Sequence, residues 1–486
     1  MGAGAGAERR VARWGAAVGV LVMGGALVAG GAAATAGTTA GKPTTTEGTT
    51  AGKPSTTAGT TSGESSTTAR TTAGEPSTPA VARSGGVGAP RSVAVMTLPA
   101  PTGRHQVGTV TRHLIDRQRR DPWGGGTPGH QYRELMVSVR YPAGAGAGRY
   151  PRAAQLTPRE AAAFDRMNSF SEHVPPGKVA WQATRTAAHT GAPVAALRPG
   201  QRLPVVLYSP GAGDPRGFGS TLCDELASRG YVVVTVDHTY EAPAVEFPGG
   251  RVARSVMPAE VVKAKKTGRM TELLRKVSAV RVADTRFVLD ELGRRGDASP
   301  LPRGLRGALD LGAVGMFGQS AGGFTAAQTM HDDRRIRAAA NLDGVMGYTQ
   351  RDADPSNPST VGRDGVDRPL LLMGMDGDTH HTVASWGAVW EHSRGRAGAW
   401  LRDLTLRGSR HATYTDAETL IPQVARQVGL SRAEVTKMIG SVRPARAVAA
   451  QRAYVSAFFD RWLRGRGDGG LLDRPSARYP EVRFVP

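Results

Sequence analysis

Gly318-Gln319-Ser320-Ala321-Gly322 sets a serine between two glycines, where an apolar run, Gly312–Phe317, meets a helix-forming stretch beginning at Ala321. A serine hydroxyl is a weak nucleophile at its own pKa and needs a neighbouring base. A sharp strand-to-helix turn supplies the rest. It lifts the hydroxyl off the sheet edge, its glycines leave room for closely passing backbone, and the first N–H groups of the helix face a developing negative charge. The chemistry implied is acyl transfer through a covalent serine intermediate.

The base must be a histidine near the end of the sheet, oriented by a carboxylate. Of the eleven histidines, His411 fits best, because it follows the apolar stretch Trp400–Leu406 through the short loop Arg407-Gly408-Ser409-Arg410 and keeps the chain order serine, acid, histidine. His238, at the end of the run YVVVTVD, reads as a loop-organising residue, and His331 lies late in the helix after the serine and points away from it. Two carboxylates compete as the acid: Asp343, in Asn341-Leu342-Asp343-Gly344, and Asp378, in Asp376-Gly377-Asp378. The group Asp376, Asp378, His380 and His381 could also offer oxygen and nitrogen ligands to a metal, but reads better as an exposed polar loop. No metal and no cofactor are assigned. Two N–H donors are needed for the oxyanion, and the candidates are Ala321 and, in the turn Pro210-Gly211-Ala212-Gly213, Ala212.

Alternating strand-like and helix-like stretches must position these groups, which implies an α/β fold with a largely parallel sheet. Strands are expected at Leu135–Tyr141, Pro204–Ser209, Tyr231–Val236, Gly312–Phe317, Ile336–Leu342, Leu370–Met373 and Trp400–Leu406. Thr157-Pro158-Arg159-Glu160 is a capping box that opens a helix. Further helices carry Leu222, Cys223 and Leu226, then Leu273, Val277, Val280 and Phe287, and last Val455, Phe458, Phe459 and Trp462.

The chain has 486 residues, one cysteine, and 62 Lys and Arg against 41 Asp and Glu, a net charge of +21. A single cysteine excludes a disulfide scaffold and a Cys-rich metal module. The positive charge is not clustered with aromatic residues, so nucleic acid is not an expected partner. The run Lys263, Lys265, Lys266, Arg269, Arg275 and Lys276, at the start of a long helical stretch, reads as a solvent-facing side or as a contact for anionic phospholipid or cell wall. Residues 1–36 have the order of a secretory signal peptide: Arg9, Arg10 and Arg13, an apolar stretch, then Ala34-Thr35-Ala36. Residues 37–91 carry an eleven-residue repeat beginning TTAGKPTTTEG, rich in Thr, Ser, Gly and Pro, with too little apolar surface to fold. The expected organisation is therefore an exported chain with a disordered segment before a catalytic domain over 92–486.

The set YSPGAG, VTVDHTY, GMFGQSAGG, RAAANLDG and LRGSRHATYTD resembles the platelet-activating-factor acetylhydrolase family, in particular its secreted bacterial members, from about Val107 to Leu463. The resemblance implies an α/β-hydrolase fold, a mostly parallel central sheet with helices on both faces. It also implies Ser320 as nucleophile, Asp343 as acid, His411 as base, and Ala212 and Ala321 as oxyanion donors. The activity it implies is calcium-independent hydrolysis of short acyl esters on phospholipid-like substrates. The 23 residues between Ser320 and Asp343 are similar to the family's spacing. One feature departs: animal members have His where this chain has Pro210. The Ser-Pro-Gly form is similar to bacterial lipases and cutinase-like polyester hydrolases, which place the acid where Asp378 stands. A lipase or polyester hydrolase with the same triad, and a non-catalytic wall-binding relative, are the alternatives.

Overall fold

The computed structural model describes residues 95–124, 131–167, 170, 173–296, 299–348 and 358–486. The expected signal peptide over 1–36 and repeat over 37–91 lie outside the described residues. Eleven strands join in one sheet: β1 (Gln106–Arg120), β2 (Tyr132–Ala143), β3 (Arg152–Ala154), β4 (Arg185–Thr190), β5 (Leu203–Ser209), β6 (Val232–Asp237), β9 (Leu309–Gln319), β10 (Ile336–Leu342), β11 (Leu370–Gly374), β12 (Leu401–Leu406) and β13 (Val482–Phe484). Two short strands, β7 (Ala244–Glu246) and β8 (Val252–Arg254), form a separate hairpin. The sheet order is β13-β12-β11-β10-β9-β5-β6-β2-β1-β4-β3. The block from β12 to β6 is parallel throughout, and β2 joins it antiparallel to β6.

Every residue of β5 and β6 is buried, as their unbroken apolar runs require of strands covered on both faces. Val205, Leu207, Val234, Val314 and Met316 pack on one face against helices Met270–Leu292 and Ala321–Asp332. Their alternates Val206, Tyr208, Val233, Phe317 and Ala340 face helices Ser220–Ser228 and Pro444–Arg464. Phe458 and Phe459 of the last helix are fully buried there, and truncating either to Ala costs about 3–5 kcal/mol. The chain runs from β5 to β6 on one side and returns to β9 on the other. Loops leaving the ends of β5 and β9 therefore diverge, and the crevice between them is where such a sheet places a ligand.

The capping box forms: Thr157 N–H donates to the Glu160 carboxylate at 3.0 Å, and Glu160 N–H donates to Thr157 Oγ1 at 3.2 Å. Helix Pro158–Met167 follows. The basic run does not lie on one helix, as its sequence suggested. Gly268, in the left-handed region at φ 69°, ends helix Met257–Thr267, and Arg275 and Lys276 belong to helix Met270–Leu292. The segment between β2 and β5 contributes Leu156, Phe164, Val174 and Trp181 to an apolar cluster shared with Leu420, Ile421 and Val424 of helix Ala417–Val428.

Candidate active site

Ser320 stands between the end of β9 and helix Ala321–Asp332 with φ 56° and ψ −124°, a conformation that L side chains rarely adopt. Packing enforces it. Ser320 N–H donates to Leu342 O at 2.9 Å, tying the turn to the end of β10. A Cβ on Gly318 would overlap the backbone of Gly322, and one on Gly322 would overlap Ser209 O. The glycines are thus required by close approach between the turn and the end of β5. Ala321 begins the helix, so its N–H has no intrahelical acceptor.

Asp343 follows directly on β10, itself in the left-handed region at φ 60°. Its N–H donates to Met373 O at 2.9 Å, and its Oδ1 accepts Met375 N–H at 2.7 Å. Asn341 clasps the turn: Gly344 N–H donates to its Oδ1 at 2.8 Å, and its Nδ2 donates to Gly344 O at 2.6 Å. Gly344 O also accepts the Trp386 indole N–H at 2.7 Å. With Oδ1 engaged, Asp343 turns Oδ2 to His411 Nδ1 at 2.6 Å. His411 opens the short helical turn His411–Tyr414, anchored by Tyr414 Oη donating to Gly374 O at 2.7 Å. The Gln319 side chain, one residue before Ser320, donates to His411 O at 3.3 Å and links β9 to the histidine loop.

The His411 side chain is 37% exposed, and that of Asp343 is 1% exposed. Burial, which alone would lower the imidazole pKa, is outweighed by the hydrogen bond and charge of Asp343, with Asp378 and Asp214 adding to it, so the pKa is raised above 6.5. The structure thus joins His411 to Asp343, while Asp378 acts on the same ring through its charge. The Ser320 side chain caps no backbone N–H of the helix it precedes.

Gly211-Ala212-Gly213-Asp214 is a tight turn closed by Asp214 N–H to Gly211 O at 3.2 Å, with Gly213 at φ 78° as the third turn position of this type requires. Ala212 N–H has no acceptor among the described residues. The Asp214 carboxyl is pushed up to about 6 by burial, opposed by the charges of His411 and Arg281.

The other sequence candidates have separate employment. His331 pairs with Asp332 at 2.6 Å and Asp364 at 3.3 Å. His380 bonds Asp403 at 2.7 Å and stacks on Trp390, and His381 meets Pro486 O at 3.2 Å. His238 is fully buried between Ser209 and Asp284. Sequence reasoning missed Gln319, Asn341, Asp214 and Arg281. Only Arg281 left a trace: it lies four residues after Val277 and beside Val280, a charge on an apolar stripe.

Residues 177–437, more than half of the chain, match the family described as platelet-activating factor acetylhydrolase, isoform II. The chain is 31% identical to a protein of Arthroderma benhamiae described as "Probable 1-alkyl-2-acetylglycerophosphocholine esterase", over 58% of this chain and 66% of that one. It is 29% identical to the platelet-activating factor acetylhydrolase of Cavia porcellus, over 31% of this chain and 37% of that one. The chain thus spans just under two thirds of the first of these relatives and less of the second. A solved structure, a ferulic acid esterase from Streptomyces cinnamoneus, is 36% identical with a TM-score of 0.61, covering 81% of this chain and 100% of that one. The chain belongs to the platelet-activating factor acetylhydrolase isoform II family, on the α/β-hydrolase fold of an esterase.

Proposed function

We propose that this chain is an exported serine carboxylic-ester hydrolase of the acetylhydrolase type, acting on short acyl esters of phospholipid-like substrates. The observation that carries the reading is the 2.6 Å bond between His411 Nδ1 and Asp343 at the sheet edge where Ser320 begins its helix. An ionised Asp343 keeps the Nδ1 proton, which leaves Nε2 free to accept one. As Ser320 Oγ attacks the ester carbonyl, His411 Nε2 takes the hydroxyl proton. Ala212 and Ala321 N–H groups stabilise the tetrahedral oxyanion. The C–O bond to the alcohol breaks, the alcohol leaves with the proton from His411, and Ser320 is acylated. Water, deprotonated by the same imidazole, attacks the acyl carbonyl, and the acid leaves as Ser320 recovers its proton.

The exposed lysines 263, 265 and 266 support peripheral contact with anionic surfaces, as a second element of the same reading. The ferulic acid esterase neighbour and the Ser-Pro-Gly turn favour a second reading, in which larger acyl groups are accepted. Turnover of p-nitrophenyl acetate, p-nitrophenyl octanoate, methyl ferulate and an acetylated alkyl phospholipid by wild type and Ser320→Ala tests both. A marked preference for acetyl esters, lost in Ser320→Ala, is the expected result. Preference for octanoate or ferulate assigns the second reading, and a folded wild type inert on all four leaves the non-catalytic alternative.

A further inference from the structure

Arg281 sits in the middle of helix Met270–Leu292 and is 1% exposed. A buried guanidinium is costly unless its donors are used. The Nε donates to Glu241 at 2.7 Å. The other two nitrogens all address the chain that enters the Ala212 turn: Nη1 donates to Pro210 O at 2.7 Å and to Ser209 Oγ at 3.3 Å, and Nη2 donates to Gly211 O at 3.2 Å. Gly211 C=O and Ala212 N–H belong to one peptide unit, and in a trans peptide they point in opposite directions. Holding the carbonyl toward Arg281 therefore aims the Ala212 N–H away from Arg281.

A second tier fixes Ser209. Its Oγ lies 2.9 Å from His238 Nε2, and His238 Nδ1 lies 3.0 Å from Asp284 Oδ2. Serine, histidine and aspartate here are each no more than 1% exposed. This second serine–histidine–aspartate set has no route for substrate, which excludes a nucleophilic role. Asp284 is held by Arg133 at 2.7 and 3.0 Å and by Arg119 at 2.6 Å. Those cations keep its carboxyl far below the usual range although burial opposes them. The ionised Asp284 accepts from His238 Nδ1–H, Nε2 then accepts a hydrogen bond from Ser209 Oγ–H, and Ser209 Oγ is left to accept from Arg281.

We propose that Arg281, braced by Ser209, His238 and Asp284, is a positioning residue that sets the direction of the Ala212 N–H as an oxyanion donor. This rests on the serine-esterase reading above. The test uses the full chain and compares wild type, Arg281→Lys, Ser209→Ala and Ser320→Ala. Arg281→Lys keeps a cation for Glu241 but loses the two-nitrogen grip on Pro210 O and Gly211 O. Its kcat on p-nitrophenyl acetate should fall by up to roughly 10²–10³-fold, the cost of one misdirected donor, with KM within about twofold. The Ki of phenylboronic acid, whose Ser320 adduct places an oxygen at the oxyanion position, should rise by the same factor as kcat/KM falls. Ser209→Ala should show a smaller loss on the same line, and it carries the comparison where Arg281→Lys does not fold. A folded variant set that keeps kcat within twofold, or loses kcat with unchanged boronate affinity, overturns the inference. An active Ser320→Ala instead overturns the serine-esterase reading on which it rests.

Discussion

Replacing Asp343 by Asn changes one oxygen to an NH₂ group and leaves the volume nearly constant. The surroundings decide which way the amide faces. Met375 N–H, 2.7 Å from Oδ1, requires an acceptor, so the amide oxygen stays there and the NH₂ group takes the place of Oδ2. It then points a donor at His411 Nδ1, where the carboxylate accepted at 2.6 Å. The imidazole answers by moving its proton to Nε2, the nitrogen that must take the Ser320 proton. A wrong tautomer of this kind costs roughly 10⁴ in kcat, or about 5 kcal/mol of transition-state stabilisation. The fold should be kept, because Met375 and the Asn341 clasp are undisturbed. The second signature is in the pH profile. Asp343 raises the His411 pKa, and only the neutral ring accepts a proton, so activity is lost as pH falls through a value above 6.5. In Asp343→Asn the residual activity should persist to lower pH. Pre-steady-state release of p-nitrophenol across pH 4–9 reads both effects. Near-full activity in Asp343→Asn together with loss in Asp378→Asn would refute the reasoning and move the acid to the following strand.

Other consequences are more local. Glu418 is fully buried, and burial, opposed by Thr413, pushes its carboxyl up to about 9 from 4.5. The unfolded chain ionises this group near its ordinary value while the folded chain keeps it protonated, so stability falls as pH rises from 4.5 to 9. Glu418→Gln removes that dependence and should stabilise the chain at pH 8 by on the order of a few kcal/mol, read from urea unfolding at pH 5 and pH 8. Asn341→Ala strips two hydrogen bonds from the turn behind Asp343. It should cost about 1–3 kcal/mol in thermal unfolding and lower kcat more than KM. Gly322→Ala, whose Cβ would meet Ser209 O, should give no soluble folded protein, seen as loss of a cooperative melting transition.

The parallel half of the sheet was legible because strands buried on both faces must be apolar throughout, as in YVVVTV and PVVLYS. On the antiparallel side β2 was legible as Leu135–Tyr141, and β1 was not. In β1, Arg112 and Asp116 share a face with the buried Leu114, so its fifteen residues show no clean alternation of apolar and polar positions, and nothing in that run excludes a loop. Helix Ala417–Val428 contains Pro422, which disguises it. At the site, the serine turn carried a local signature, since its glycines answer to contacts within a few residues. The residues alone left Asp343 and Asp378 as alternatives, and the family resemblance favoured Asp343; its bond to His411 rests on where Met375 N–H lies, a product of strand register between β10 and β11. Arg281 was hidden for a similar reason. Its partners, Glu241 and residues 209–211, are set by helix packing over the sheet, and sequence spacing alone gives a charged residue on a helix no such address.

The central claim concerns the hydroxyl of Ser320. Incubation of the full chain with a fluorophosphonate, followed by intact mass and peptide mapping, measures it directly. The account predicts a single stoichiometric adduct on Ser320, absent in Ser320→Ala and formed far more slowly in His411→Gln. An unmodified folded protein, or an adduct at any other residue, would contradict it.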